Sequence, residues 1–246
     1  MSPSRKGPDT EKTAAAYRGG FSCPKTEFFA IMTLQTINTD KEGIEMDLQT
    51  VKKNLEAKGY RVSCFESSRA AAAYLNGRID GVSVGFGGSM TVQEMGLYDM
   101  LAAHNEVFWH WRVPEGKSPD ELRAEAAVSD VYISSVNGLA ETGEIVNIDG
   151  SGNRVASTIY GHKTVYFVVG RNKLAPDADA AMGRARNVAA PKNARRLGLK
   201  TPCAEKGDRC YDCKSPARIC RAASVFWTRP GGSDYEVVLI DEDLGY

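Results

Sequence analysis

The chain has 246 residues, 42% of them hydrophobic, which is enough for a buried core and fits one large domain. Lys and Arg number 31, as do Asp and Glu, so no net field draws the whole chain to nucleic acid or a membrane surface. It has no basic start followed by an apolar stretch and a cleavage site, and no apolar run long enough to span a bilayer, which predicts a cytoplasmic protein without a membrane partner.

Residues 1–40 open with the polar run MSPSRKGPDTEKTAAAYRGG and read as an N-terminal extension, partly disordered, ahead of a single domain over 41–246. Ile44, Leu48, Val51 and Leu55 recur at three and four residues and predict an amphipathic helix over 41–58, ended by Gly59. A strand over 60–65, an Ala-rich helix over 67–75 and a strand over 81–86 follow. That order begins an α/β fold with an open, mostly parallel sheet and flanking helices.

The second strand runs into VGFGGSMTVQEMGL, where Gly85, Gly87 and Gly88 let the backbone turn tightly and approach a ligand. Thr91 and Glu94 read as a capping box opening a helix, so a strand, a glycine turn and a helix start form a candidate anion site. Met90 stands where a dinucleotide fingerprint has its third glycine, and no Gly-Lys-Ser/Thr follows, so neither nucleotide motif is present. A tight turn with a good cap looks the same.

EVFWHW, residues 106–111, reads as a strand; His104 and His110 have no partner at metal spacing and read as structural. A helix over 118–128 opens at Ser118-Pro119 with Asp120 and Glu121 in its first turn, and a strand over 131–134 follows. Asn137 and Glu141 then fall past a strand's C-terminal end, where open α/β sheets bind ligands. Residues 144–148 and 155–160 read as a hairpin around 149–153, with Arg154 at its shoulder. An amide, a carboxylate and a guanidinium at one sheet end suit a small anionic ligand, a carboxylate or a phosphate. In that reading Glu141 is the acid/base or orienting group, Asn137 fixes orientation, Gly87, Gly88 and Ser89 present donors, and Arg154 pairs with the anion. Solvated loop residues give the same pattern.

TVYFVV, residues 164–169, is the most apolar strand and is expected at the sheet centre. Asn172 and Lys173 lead to a helix around 177–187, which Pro191 interrupts before a second piece reaches Leu197. Residues 222–228 and 235–240, joined across Arg229-Pro230-Gly231-Gly232, read as a closing hairpin.

Between these lies the pattern Cys203-x6-Cys210-x2-Cys213-x6-Cys220. Four thiolates so spaced can surround an iron-sulfur cluster or a zinc ion, and the spacing does not choose between them. The expected compartment weighs against disulfides, and unligated thiols remain a further reading. Few apolar residues surround the cysteines, so something other than burial is expected to hold the segment. From Arg171 to Arg229 there are 14 Lys and Arg against 5 Asp and Glu, an excess that would stabilise thiolates. A solvated basic face, or a surface docking an acidic partner, would look alike; interleaved aromatics for stacking RNA bases are missing.

VGFGGSMTVQEMGL, SVNGLAETGEIVNIDGSGNRVA, VVGRNKL, RNVAAPKNARRL and the closing cysteine run, in that order over residues 41–240, resemble the LUD-domain family of lactate-utilisation proteins, in its short single-domain type. The resemblance implies a fold like that of CoA transferases and ribose-phosphate isomerases, and a link to oxidation of lactate or a related organic acid beside iron-sulfur partner proteins. It places Gly85, Gly87, Gly88 and Ser89 along a pocket, with Asn137, Glu141, Asn153 and Arg154 facing it and Cys203, Cys210, Cys213 and Cys220 as the cluster or metal ligands. A CoA-thioester or phosphosugar enzyme with a covalent intermediate at Glu141, and a zinc-stapled binding or sensor module, are the alternatives. A homo-oligomer is left open.

Overall fold

The structure is a computed structural model and describes residues 46–246; the extension expected over 1–40 lies outside the described residues. Helix α1 (Leu48–Ala57) starts where the Asp47 carboxylate accepts the Gln49 and Thr50 amides, and it buries Val51 and Leu55. Strand β1 (Arg61–Phe65), helix α2 (Ser68–Arg78) and strand β2 (Ser83–Phe86) follow as expected. Short helices α3 (Met90–Glu94) and α4 (Leu97–Ala102) lead to β3 (Glu106–Phe108), then α5 (Pro119–Ala126) and β4 (Val131–Ser134). Ser118 and Glu121 close a reciprocal capping box at the start of α5.

The chain continues through β5 (Gly138–Ala140), β6 (Ile145–Asp149), α6 (Asn153–Ile159), β7 (Thr164–Gly170), β8 (Leu174–Ala175), α7 (Ala178–Arg184), α8 (Ala190–Arg196), α9 (Pro202–Lys206), β9 (Ala222–Phe226) and β10 (Asp234–Ile240). One sheet has the order β1-β10-β7-β4-β2-β3 with every pair parallel. From β2 the chain goes outward to β3 at the edge and returns to β4 on the other side of β2. Crossovers leaving a strand in opposite directions open a crevice at the C-terminal edge.

Alternation along β7 shows the layering. Val165, Phe167 and Val169 pack with α1, α5 and the inner residues Leu139, Ile145 and Phe226, whereas Tyr166 and Val168 pack with α2, α3 and α4. The all-apolar run marks a strand covered on both faces. A second sheet, β8-β5-β6-β9, lies over one face and is covered in turn by α7 through Ala140, Val146, Ala175 and Ala181.

Several local expectations are corrected. Residues 144–148 and 155–160 do not pair: after β6, Gly152 takes φ +86 and the chain enters α6, whose first amides bond the Asp149 carboxylate. Residues 222–228 and 235–240 are not a hairpin either, because β9 pairs antiparallel with β6 whereas β10 inserts between β1 and β7. Six consecutive buried residues from Tyr235 to Ile240 are the signature of an inner strand. The cap of α3 is Ser89, not Thr91; Thr91 is fully buried and its hydroxyl donates to the Leu244 carbonyl. The strand expected over 106–111 stops at Phe108. Pro191 does not interrupt its helix: a π turn over Ala185–Ala189 joins α7 to α8, widening the coil where proline removes a donor and crowds the previous turn.

Candidate functional site

A cavity of about 360 Å³ opens at the C-terminal edge of the parallel sheet, a volume suited to a small molecule. Gly88 and Ser89 reach it after β2, His110 and Trp111 after β3, Ser135 and Asn137 after β4, Lys173 after β7 and Tyr246 after β10. The opposite wall comes from the end of β6, the start of α6 and the face of the π turn and α8. Trp111, Val136, Ile148, Leu197 and Ile219 supply apolar surface between the polar groups.

Charge in the lining is one-sided. Arg123, Arg154, Lys173 and Arg196 border the cavity, and Asp149 is the carboxylate among its lining residues. Asp149 is already committed, accepting amides from Ser151, Arg154 and Val155 at 2.9 to 3.2 Å. Arg154 donates to the Ser135 and Ile148 carbonyls and to the Asn137 and Asn147 Oδ1 atoms at 2.7 to 3.3 Å. Arg196 lies 4.8 Å over the Trp111 ring and bonds Asn193 Oδ1. These acceptors are all neutral, so Arg154 and Arg196 are held in place without an ion pair, and Asp149 is the carboxylate whose charge acts on Arg154.

Lys173 is buried, 4% exposed, and its Nζ donates to Thr91 Oγ1 at 2.8 Å and Ser135 Oγ at 2.9 Å. Burial first, then the Arg184 and Arg154 guanidiniums, push its ammonium down to about 7, against an upward pull from Glu94. His110 is pushed down to about 4 by burial and by Arg123, with Asp149 acting the other way, so it lines the cavity as a neutral imidazole. Its Nδ1 is buried with no hydrogen-bond partner among the described residues.

Of the residues expected here, Gly88, Ser89, Asn137, Asn153 and Arg154 line the cavity. Asn137 is a pin as much as a contact, its Oδ1 accepting from Ile148 N at 2.8 Å and Arg154 Nη2 at 2.9 Å. Gly85 and Gly87 are not lining residues and serve packing. A Cβ on Gly85 would stand 2.5 Å from the Ala126 carbonyl of α5, and one on Gly87 would stand 2.7 Å from Ser134 Oγ. Glu141 is also outside the lining: it sits in the turn between β5 and β6, where its amide bonds Ala175 O and its carbonyl accepts from Asn54. Lys173, Ser135, His110, Arg123 and Arg196 had no such role in the sequence reading. The rule that pointed to Asn137, position just past a parallel strand, also points to Lys173 once applied to β7.

Cys203 lies in α9, and Cys210, Cys213 and Cys220 lie in the stretch 207–221, which has neither helix nor strand. Arginines hold this stretch by its carbonyls: Arg218 donates to Cys213 O and Cys220 O at 2.9 Å, and Arg221 to Arg218 O and Pro216 O. Part of the local basic excess is thereby accounted for. The thiols are free, and among the described residues no group of three or more His, Cys, Asp or Glu stands where it could hold a metal. As placed, the four cysteines do not fit a cluster or a zinc shell. The segment nevertheless touches the cavity through Ile219, whose carbonyl would lie 2.9 Å from a Cβ on Gly150.

A family model described as the LUD domain matches residues 48–240. No curated protein matches the chain. Among solved structures, the crystal structure of a DUF162 family protein from Deinococcus radiodurans is similar over 78% of this chain and 95% of that chain, at 10% identity and a TM-score of 0.43. Among the described residues no helix is long and apolar enough to cross a membrane.

Proposed function

This chain belongs to the LUD-domain family, and on that footing we propose that its sheet-edge cavity binds a small organic anion in the oxidation of lactate or a related organic acid. The family is associated with lactate utilisation. The observation that carries the reading is the charge pattern: Arg154, Lys173 and Arg196 face one cavity with only neutral hydrogen-bond acceptors, while Asp149 is spent on backbone amides. A carboxylate or phosphate is the counter-charge such a site accepts. Glu141 lies outside the lining, so covalent chemistry at its carboxylate forms no part of the proposal.

Calorimetric titration with lactate, pyruvate and inorganic phosphate tests it. At least one should bind, and Arg196→Ala should weaken that binding about tenfold, the value of one charge-assisted hydrogen bond of ~1.4 kcal/mol. Arg196 leans on Trp111 and Asn193 at the surface, so its removal leaves the core intact. Binding by none of the three, or equal binding by the variant, would remove the cavity from the function.

A further inference from the structure

We propose that Lys173 captures a small carbonyl compound bearing a carboxylate or phosphate, forming a reversible imine through Nζ. The inference rests on the anion-binding reading of the same cavity and adds a substrate class to it: 2-oxo acids or phosphorylated aldehydes and ketones.

Three features of the geometry point to a nucleophile instead of a structural cation. First, a lysine buried to 4% exposure is held by two hydroxyls, Thr91 and Ser135, although guanidiniums already crowd the site. A buried amine placed among cations loses its proton readily, and the neutral form is the one that attacks a carbonyl. Second, the hydrogen-bond directions are set. The Thr91 hydroxyl donates to Leu244 O at 3.1 Å and therefore accepts from Lys173. Lys173 is the partner of the Ser135 hydroxyl among the described residues, which leaves the Ser135 proton available for exchange with Nζ or with an oxygen held beside it. Third, Arg154 bonds the Ser135 carbonyl at 3.3 Å, so the guanidinium that would hold the anion is tied to the same residue whose hydroxyl touches the amine. On the far side Gly245, at φ +62, lays backbone against the pair: a Cβ there would lie 2.7 Å from Thr91 Oγ1 and 3.4 Å from Lys173 Nζ. The amine is enclosed on that side, and Lys173 is among the residues that line the cavity.

The chemistry balances without an added reagent. The Nζ lone pair forms a C–N bond to the carbonyl carbon as the carbonyl π pair moves to oxygen. A proton passes from nitrogen to that oxygen, with Ser135 placed to relay it, and the carbinolamine then loses water to give the imine. Hydrolysis reverses each step. The guanidiniums hold the carboxylate or phosphate of the same molecule and so set the carbonyl against Nζ.

The test is reductive trapping on the full chain. Protein is incubated with pyruvate or with dihydroxyacetone phosphate, treated with borohydride and mapped by peptide mass spectrometry. One adduct at Lys173, absent without the carbonyl compound, more abundant at pH 8 than at pH 6 and lost in Lys173→Met, is the expected result. Whichever compound gives it identifies the anionic group. The mapping on unmodified protein decides the matter even if Lys173→Met fails to fold. Adduct spread evenly over the lysines, or none, overturns the imine. Calorimetry with the same compounds separates the two levels: binding without an adduct leaves the anion site standing and removes the imine, and neither binding nor adduct removes both.

Discussion

The cavity and the cysteine segment adjoin at Ile219, yet they are built on opposite plans. Around the cavity, side chains from widely separated strands pin one another: Arg154 alone ties Ser135, Asn137, Asn147 and Ile148 together, and Lys173 joins Thr91 to Ser135. In the stretch 207–221, arginines hold carbonyls a few residues away, and every residue is exposed or half-buried. The first plan fixes positions at the cost of burying polar groups. The second leaves the chain able to rearrange with little loss. A pocket whose function depends on placing charges needs the first.

The comparison breaks most sharply at Arg154. Arg154→Ala would strand the buried Asn147 side chain, which is 0% exposed, and release the Ser135 and Ile148 carbonyls at once. Unsatisfied buried polar groups cost about 1–3 kcal/mol each before relaxation, so a loss of ~3 kcal/mol in urea unfolding is expected. A loss below about 1 kcal/mol would mean that the network is loose and that Arg154 serves the ligand alone.

How much of this was legible in the sequence follows the same division. Val131–Ser134 and the strand from Thr164 were readable because each is an apolar run bounded by turn residues, and Ser118 with Glu121 announced α5 by local chemistry. The two supposed hairpins failed because pairing partners are long-range facts: a short turn between two apolar runs does not reveal that β10 belongs between β1 and β7. Asn137 could be found from its place beside a strand end, whereas Arg154 was reached through a hairpin that does not form and stands in the first turn of α6. Glu141, four residues beyond Asn137, was carried by the turn between β5 and β6 away from the cavity, and no local signal marks that excursion. Lys173 was invisible as a site residue because its partners stand 82 and 38 positions away in the chain.

A second prediction concerns pH and the cavity's neutral histidine. In the unfolded chain His110 titrates near its ordinary value of about 6.5, whereas burial and Arg123 hold it at about 4 in the folded chain. Between those values the unfolded state binds the extra proton, so stability falls as pH drops from 6.5 to 4. His162, lowered by burial, works in the same direction. The urea midpoint should therefore be lower at pH 5 than at pH 7, and His110→Gln should recover part of the difference. An unchanged difference in the variant would place the acid sensitivity elsewhere.

The smallest effect on stability is expected in the cysteine segment, where it discriminates best. Arg218→Ala removes the donors to Cys213 O and Cys220 O, and both carbonyls can turn to solvent. The cost to global unfolding should stay within about 1 kcal/mol, a third of that at Arg154. The segment itself should open, with maleimide reacting several-fold faster at Cys213 and Cys220 and the ligand affinity of the cavity nearly unchanged. In the unmodified chain, added zinc should leave the thiol reactivity as it was, because the cysteines are not gathered into a shell. Strong zinc protection would show that the segment closes around a metal in a second arrangement, for which the arginine-held one is the open form. A change in ligand affinity on Arg218→Ala would show instead that Ile219 transmits the state of the segment to the cavity wall. Either result would join the two regions into one functional unit.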